Sequence, residues 1–153
     1  MPTKLYMEHQ EFCDKRSEVV CEENRIQYKL MNSQKHEIAK IKVDGGVFTV
    51  VTNEYKKCDY LVVDCEELFG ILVELKGSNF QKAIHQIDST LDLIRDELKK
   101  HQIAQIHGRI AMRQTPKHTD LTSNAKMRLD SKLKKHFGNG TLKIAKSPFQ
   151  DSM

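Results

Sequence analysis

Two acids and a lysine near the middle of the chain have the types and spacing for hydrolytic chemistry. Glu74 and Lys76 lie two residues apart at the end of the apolar run "GILVELKG", and Asp59 lies near the start of the preceding run "CDYLVVDC". Residues two apart in a strand point to the same face. In an antiparallel pair, the start of one strand lies beside the end of the next. A hairpin formed by these two runs would therefore bring Asp59 beside Glu74 and Lys76.

The expected group of side chains suits a hard metal ion. Two carboxylates and the backbone carbonyl of Leu75 would form an oxygen-only site of the kind that Mg²⁺ or Mn²⁺ prefers. Such an ion polarises a phosphodiester oxygen and lowers the pKa of a bound water. Lys76 could orient or deprotonate that water and stabilise charge on phosphorus. The alternative is an ordinary cross-strand ion pair at a solvated end of the sheet, which is the commoner origin of so short a pattern.

Strands are predicted on both sides of this group. Four runs rich in apolar and β-branched residues follow one another with connections too short for a crossover helix, which predicts consecutive antiparallel strands. They are "HEIAKIKVDGG", "VFTVVT" at residues 47–52, "CDYLVVDC" and "GILVELKG". Upstream, the first thirty residues are interpreted as a short helix around Ser17 to Asn24 that leads into an extended segment.

Two amphipathic helices are predicted downstream. Apolar residues recur at three- and four-residue steps from Phe80 to Leu98, which predicts a helix of about five turns capped by Ser78 or Asn79. The run "QIAQIHGRIAMRQ" predicts another strand, and "KHTDL" with Pro116 a loop. Thr122 or Ser123 would cap a second helix, and "TLKIAK" would be a last strand. This order of elements predicts an α/β fold.

The central segment resembles the PD-(D/E)XK nuclease superfamily. Asp59 matches the aspartate of the family motif, and Glu74 to Lys76 match its (D/E)XK element, although Cys58 stands where the motif has proline. The resemblance implies that Asp59 and Glu74 bind a divalent metal, usually Mg²⁺, and that Lys76 assists the attacking water.

A glutamine downstream extends the resemblance. Gln86 is similar to the glutamine of the family's QxxxY element, with Thr90 in place of the tyrosine, which implies that Gln86 helps to shape the site. The alternative is a plain exposed helical glutamine.

The same resemblance implies a fold and a further acid. The fold would be a restriction-endonuclease-like mixed sheet, with an αβββαβ core flanked by helices. The family often carries an acidic residue on a helix before its first strand, and Glu18, Glu22 and Glu23 are the candidates here. We expect one domain over residues 1–153, with a poorly defined segment over 1–35 and a core over 36–146.

Charge is distributed unevenly along the chain. The net charge is +4, but residues 1–94 carry 12 Lys and Arg against 16 Asp and Glu, whereas residues 95–146 carry 13 against 4. A basic half suits a polyanion such as nucleic acid, and the alternative is a solvated lysine-rich surface. The candidate phosphate-binding residues are Arg109, Arg113, Lys126, Arg128, Lys132, Lys134 and Lys135.

Other function classes are less well supported. The four cysteines form no CxxC pair, which argues against a zinc site. No segment has the about 20 apolar residues that span a membrane, and the start of the chain does not resemble a secretory signal, so we expect a cytoplasmic protein.

Together these features predict a metal-dependent nuclease that hydrolyses phosphodiester bonds, in DNA before RNA. The chain offers little beyond a catalytic core, so specificity would come from a homodimer or from a partner protein. A structure-specific resolvase and the nuclease subunit of a bacterial defence or restriction system both fit. The alternatives are a catalytically inactive subunit of the same fold that binds nucleic acid or acts as a scaffold, and an interaction module without a nucleic-acid role.

Overall fold

Two β-sheets and two longer helices make up the fold. The computed structural model describes residues 2–48 and 57–153. The strands are β1 Gln10–Asp14, β2 Glu18–Glu23, β3 Ile26–Met31, β4 Ile38–Lys42, β5 Tyr60–Asp64, β6 Phe69–Lys76, β7 Gln105–Met112, β8 Leu142–Lys146 and β9 Phe149–Ser152. The helices are α1 Phe80–Lys100, α2 His118–Leu121 and α3 Asn124–His136, and a 3₁₀ turn covers Met7–His9.

The larger sheet is mixed. Its strand order is β1-β4-β5-β6-β7-β8, and the smaller sheet has the order β2-β3-β9. β1, β4, β5 and β6 pair antiparallel, whereas β6, β7 and β8 pair parallel. The parallel pairs are possible because α1 and α3 return the chain to the starting end of the sheet. The predicted α/β class is therefore confirmed, and so is the antiparallel pairing of the last two predicted runs, as β5 with β6.

Strand β6 is buried on both faces, which explains why its sequence is a nearly continuous apolar run. Leu72 packs into an apolar cluster with the buried side of α1, and Val73 packs into a second cluster with β2 and β3. Alternate residues of β6 thus face the helices and the smaller sheet. Glu74 and Lys76 share the parity of Leu72 and lie on the helical side.

The two longer helices begin at the predicted caps. The side chain of Asn79 accepts from the backbone N–H of Lys82 at the start of α1. The side chain of Ser123 accepts from the backbone N–H of Lys126 at the start of α3. α1 buries its predicted apolar stripe against the larger sheet, and α3 buries Leu129 and Leu133 in the same cluster. The predicted starts of both helices are therefore confirmed.

The helix predicted around Ser17 to Asn24 is wrong, because this segment forms β2. Its burial alternates between exposed and buried residues, with Val19 and Cys21 inward, as a strand requires. Asn24 and Arg25 have φ of 51° and 66°. Two consecutive positive φ values are those of a type I′ turn, which links β2 to β3 as a tight hairpin.

Ordered structure extends beyond residues 36–146. β1 pairs with β4 at one edge of the larger sheet, and β9 pairs with β3 in the smaller one. β4, β5, β6, α1 and β7 follow one another in the order strand, strand, strand, helix, strand. Within the described residues no α-helix precedes β4, so the leading helix of the expected αβββαβ order is replaced by strands. The short helix α2 occupies part of the predicted loop, and the strand predicted at 47–52 falls mostly outside the described residues.

Candidate active site

Asp59 and Glu74 meet at the carboxyl end of β6. Tyr60 pairs with Val73, so the residue before Tyr60 lies opposite the residue after Val73. The backbone N–H of Asp59 donates to the carbonyl of Val73 at 3.0 Å, and the N–H of Leu75 donates to Oδ2 of Asp59 at 2.8 Å. The predicted juxtaposition is therefore confirmed.

Lys76 and Gln86 complete the polar group on the helical side. Nζ of Lys76 lies 3.9 Å from Oε2 of Glu74 and donates to Oε1 of Gln86 at 3.1 Å. Nε2 of Gln86 donates to the backbone carbonyl of Lys57 at 3.3 Å. Gln86 is only 5% exposed. The alternative of a plain exposed helical glutamine is therefore wrong.

Thr90 connects α1 to the segment that precedes β5. It is fully buried. Its hydroxyl donates to the carbonyl of Gln86 at 2.7 Å and accepts from the backbone N–H of Cys58 at 2.9 Å. The residue that stands in place of the family's tyrosine thus has a positioning contact of its own, one residue before Asp59.

Burial shapes the ionisation of the acid pair. Glu74 is 2% exposed, and its Oε1 is buried without a hydrogen-bond partner among the described residues. Burial raises the pKa of Glu74 to about 10, helped by the charge and hydrogen bond of Asp59 and opposed by Lys76. Burial also raises the pKa of Asp59 to about 7, opposed by the N–H of Leu75. At neutral pH the pair therefore holds a proton.

Glu23 is the N-terminal acid that reaches this pair. Its charge raises the pKa of both Asp59 and Glu74. It also accepts from Nζ of Lys42 at 2.6 Å, whereas Glu18 and Glu22 are exposed. Glu23 comes from the end of a strand in the smaller sheet, not from a helix. The packing of the two sheets decides that Glu23, and not Glu18 or Glu22, reaches the pair. No local sequence signal predicts this.

The acid pair has oxygen donors that suit a divalent cation, but it has few of them. A buried carboxylate oxygen without a partner is a donor that a cation would satisfy. Across residues 2–48 and 57–153, however, no group of three or more His, Cys, Asp or Glu side chains is arranged to hold a metal ion. Mg²⁺ is usually bound through one or two carboxylates with several waters retained. Asp59 and Glu74, with the Leu75 carbonyl, are thus the donors this site can offer.

Arg109 does not have the predicted phosphate-binding role, because its side chain is fully buried. Its Nε lies 2.6 Å from Oδ2 of Asp151. Its remaining nitrogens donate to the carbonyls of Gly108 and Thr141, to the Thr141 hydroxyl and to the sulfur of Met153. Arg109 therefore fastens the C-terminal strand to β7.

The cations of α3 divide into two sets. Lys126 pairs with Asp130 at 3.6 Å. Lys132 pairs with Asp88 at 2.5 Å and Asp92 at 2.9 Å, so both lysines are neutralised within the fold. The other predicted cations of this helix are exposed and have no ion pair in the part of the chain that the structure describes; they are Arg128, Lys134 and Lys135.

Arg113 lies beside the end of β6. It is exposed, its backbone N–H donates to the carbonyl of Lys76 at 3.2 Å, and its guanidinium donates to the carbonyl of Asn24 at 3.2 Å. It therefore follows β7 directly beside the end of β6. Among the predicted cations it is the one that the fold brings next to Lys76.

Comparisons of the chain with protein-family models, curated proteins and solved structures gave no match. In the described residues no helix is both long enough and apolar enough to cross a membrane.

Proposed function

We propose that this protein is a metal-dependent nuclease that hydrolyses phosphodiester bonds in DNA or RNA. One observation carries the proposal: Asp59 and Glu74 are buried side by side at the end of β6 with Lys76 beside them, and one oxygen of Glu74 has no partner in the described structure. Burying two adjacent carboxyl groups is unfavourable unless a counter-charge compensates them. A divalent cation bound by the pair would supply that charge.

Each residue then has a role that follows from its contacts. Asp59 and Glu74 would hold the cation, with the Leu75 carbonyl as a further donor. When bound, the cation polarises the phosphodiester and lowers the pKa of water. Lys76 would orient the attacking water and stabilise the charge that develops on the phosphoryl oxygens.

Gln86 is best described as a positioning residue. Nζ of Lys76 lies nearer to Gln86 than to Glu74, at 3.1 Å against 3.9 Å. The amide therefore holds the ammonium at the outer limit of its ion pair with Glu74. This leaves the ammonium available for a phosphate oxygen or a water.

The order of β4, β5, β6, α1 and β7 supports a restriction-endonuclease-like core as part of this proposal. Asp59 immediately precedes β5, and Glu74 and Lys76 lie at the end of β6. Gln86 lies on α1, which follows. Specificity would come from a second copy of the chain or from a partner protein.

Cleavage assays test the proposal directly. The purified protein is incubated with plasmid, linear duplex, single-stranded DNA and RNA, in Mg²⁺, in Mn²⁺ and in EDTA. We expect metal-dependent cleavage that falls at least about 100-fold in both variants, because Glu74→Gln removes a carboxylate that would hold the cation and Lys76→Met removes the ammonium that would stabilise charge on the phosphoryl oxygens. Glu67→Gln is the matched control, since Glu67 is an exposed acid in the β5–β6 loop.

Two results would contradict the proposal. One is the absence of cleavage of every substrate in both metals, which together with nucleic-acid binding would favour an inactive binding subunit. The other is that the Glu74→Gln and Lys76→Met variants cleave at the wild-type rate, which would indicate a contaminating nuclease. Sedimentation of the active samples reports whether the active species is a dimer.

A further inference from the structure

We infer that the sugar–phosphate backbone of a nucleic acid is held by three cations that follow β7 and end β8, and not by the lysine-rich helix α3. We call Arg113, Lys117 and Lys146 the basic rim. The inference rests on the proposed function, because it names the surface that leads a polyanion to Glu74 and Lys76. It reverses the expectation from sequence, in which α3 carries most of the candidate cations.

The register of the parallel strands places the rim beside the acid pair. Lys76 of β6 pairs with Met112 of β7, and Met112 pairs with Lys146 of β8. Register partners in a sheet point to the same face, so Lys146 lies on the same face as Lys76. Adjacent strands are about 4.8 Å apart, which places the two lysines about 10 Å apart across the sheet. The carboxyl ends of parallel strands are a common place for ligands in α/β folds.

Arg113 lies between the turn that follows Lys76 and the smaller sheet. A methyl group added at Gly77 would come within 3.6 Å of its guanidinium, so little space separates it from the turn that follows Lys76. Its hydrogen bond to the carbonyl of Asn24 holds it at this place. The guanidinium is thus fixed at the rim and still exposed.

A concave surface adjoins Lys76 on the same side. A cavity of about 320 Å³ lies between the start of α1 and the loop after β7, above Met112. Its polar lining includes Ser78, Asn79, Gln114, Thr115, Lys117 and Asp120. Asp120 is the acid of this lining, and its carboxylate accepts from the backbone N–H of Lys117 at 3.3 Å. The hydroxyl, amide and ammonium groups are donors suited to phosphate oxygens.

Position distinguishes the rim from α3. Each surface has three exposed cations without an ion pair in the described part of the chain: the rim cations, and Arg128, Lys134 and Lys135 on α3. The other two α3 lysines, Lys126 and Lys132, are paired with acids of the fold and would have to give them up before they bind phosphate. The rim is the set that strand register and the Arg113–Lys76 backbone hydrogen bond place at the end of β6. It is therefore the set that a polyanion at the acid pair would contact.

Binding without cleavage tests the inference. Fluorescence anisotropy of a labelled DNA duplex and of a labelled single strand is measured in EDTA over a series of KCl concentrations. The test variant is Arg113→Gln/Lys117→Gln/Lys146→Gln. The matched control is Arg128→Gln/Lys134→Gln/Lys135→Gln, which removes the same charge from α3.

We expect the rim variant to reduce the magnitude of the slope of log affinity against log salt concentration. Each lost contact lowers it by about 0.9 for duplex and about 0.7 for single strand, so three lost contacts lower it by about 2.7 and about 2. The α3 control should keep the wild-type slope. Lys146→Gln alone should flatten the duplex slope by about 0.9; its thermal unfolding curve serves as the folding control, should the triple variant fail to fold.

The inference is overturned if the α3 variant loses the slope and the rim variants keep it, or if the wild type shows no salt-dependent binding. Cleavage assays separate this outcome from the proposed function. Rim-dependent binding without cleavage in Mg²⁺ or Mn²⁺ would refute the nuclease function and leave the rim as a binding surface. Cleavage by a protein whose rim variants bind like the wild type would refute the rim and leave the nuclease function standing.

Discussion

The backbone N–H of Leu75 donates to Oδ2 of Asp59 at 2.8 Å, so the strand that carries Glu74 also holds the carboxylate of Asp59. A hydrogen bond to the ionised form lowers the pKa of a carboxyl group. Here it opposes the larger effect of burial, which raises the pKa of Asp59. Glu74 receives no such bond at Oε1. The two acids are therefore unequal, and Asp59 ionises first.

This inequality predicts how stability depends on pH without metal. The pKa of Asp59 rises from 3.8 to about 7 and that of Glu74 from 4.5 to about 10 on folding. The folded state therefore binds more protons than the unfolded state between these values, and the contribution of the pair to stability falls as pH rises. In EDTA, we expect this contribution to be complete below about pH 4, to fall steadily up to pH 7 and to fall further towards pH 10.

Glu74→Gln isolates this effect. The neutral amide cannot ionise, so at pH 8 we expect the variant to be more stable than the wild type by about 1–3 kcal/mol. That difference raises Tm by roughly 2–4 °C per kcal/mol in a chain of this size. Thermal unfolding in EDTA at pH 5 and pH 8 measures it, with Glu67→Gln as the control. Equal Tm differences between variant and wild type at the two pH values would contradict the raised pKa of Glu74.

Metal binding should release the proton that the pair retains. A cation requires ionised ligands, and at pH 7.5 Glu74 is protonated because burial and Asp59 raise its pKa to about 10. We expect about one proton released per bound Mg²⁺. Calorimetric titrations in buffers with different ionisation enthalpies give this number. Binding of Mg²⁺ with no dependence on the buffer would show that Glu74 is already ionised.

Thr90 provides a test of how the site is positioned. Thr90→Val keeps the shape but removes the hydroxyl, so the buried N–H of Cys58 loses its acceptor. We expect a loss of about 1–3 kcal/mol in the free energy of unfolding. Thr90→Ser retains the hydroxyl and should lose less. Urea unfolding at one pH compares the three proteins, and equal losses in both variants would assign the effect to packing and not to the hydrogen bond.

The hairpin and helix around the site could be predicted because their signals are local. Asp59, Glu74 and Lys76 are placed by two apolar runs, a short connection and the period of a strand. α1 follows from its apolar stripe and from the cap at Asn79. Each of these signals lies within about twenty residues of sequence, and packing did not override any of them.

The remaining features depend on contacts between distant parts of the chain. Arg109 looks like any other basic residue until the strand 42 residues later brings Asp151 against it. Glu23 is chosen over its acidic neighbours by the packing of one sheet on the other. The sequence does not predict the β2–β3 turn, because Asn24 and Arg25 adopt positive φ without a glycine and a hairpin signal usually includes one. Counting charges along the sequence cannot show which lysines the fold has already paired.

The pairing of Arg109 with Asp151 predicts a structural and not a binding role for this arginine. Both side chains are buried, and Asp151 also accepts from the hydroxyl of Tyr28 at 2.8 Å. Removing one partner leaves the other charge buried, so Arg109→Ala should lose about 3–5 kcal/mol in the free energy of unfolding. Arg109→Met/Asp151→Leu removes both charges and should lose less than Arg109→Ala. Urea unfolding gives the free energies, and anisotropy in EDTA, at temperatures where each protein is folded, should give wild-type affinity for DNA. A double variant that folds well and yet binds DNA with a weaker dependence of affinity on salt would indicate that Arg109 does bind phosphate.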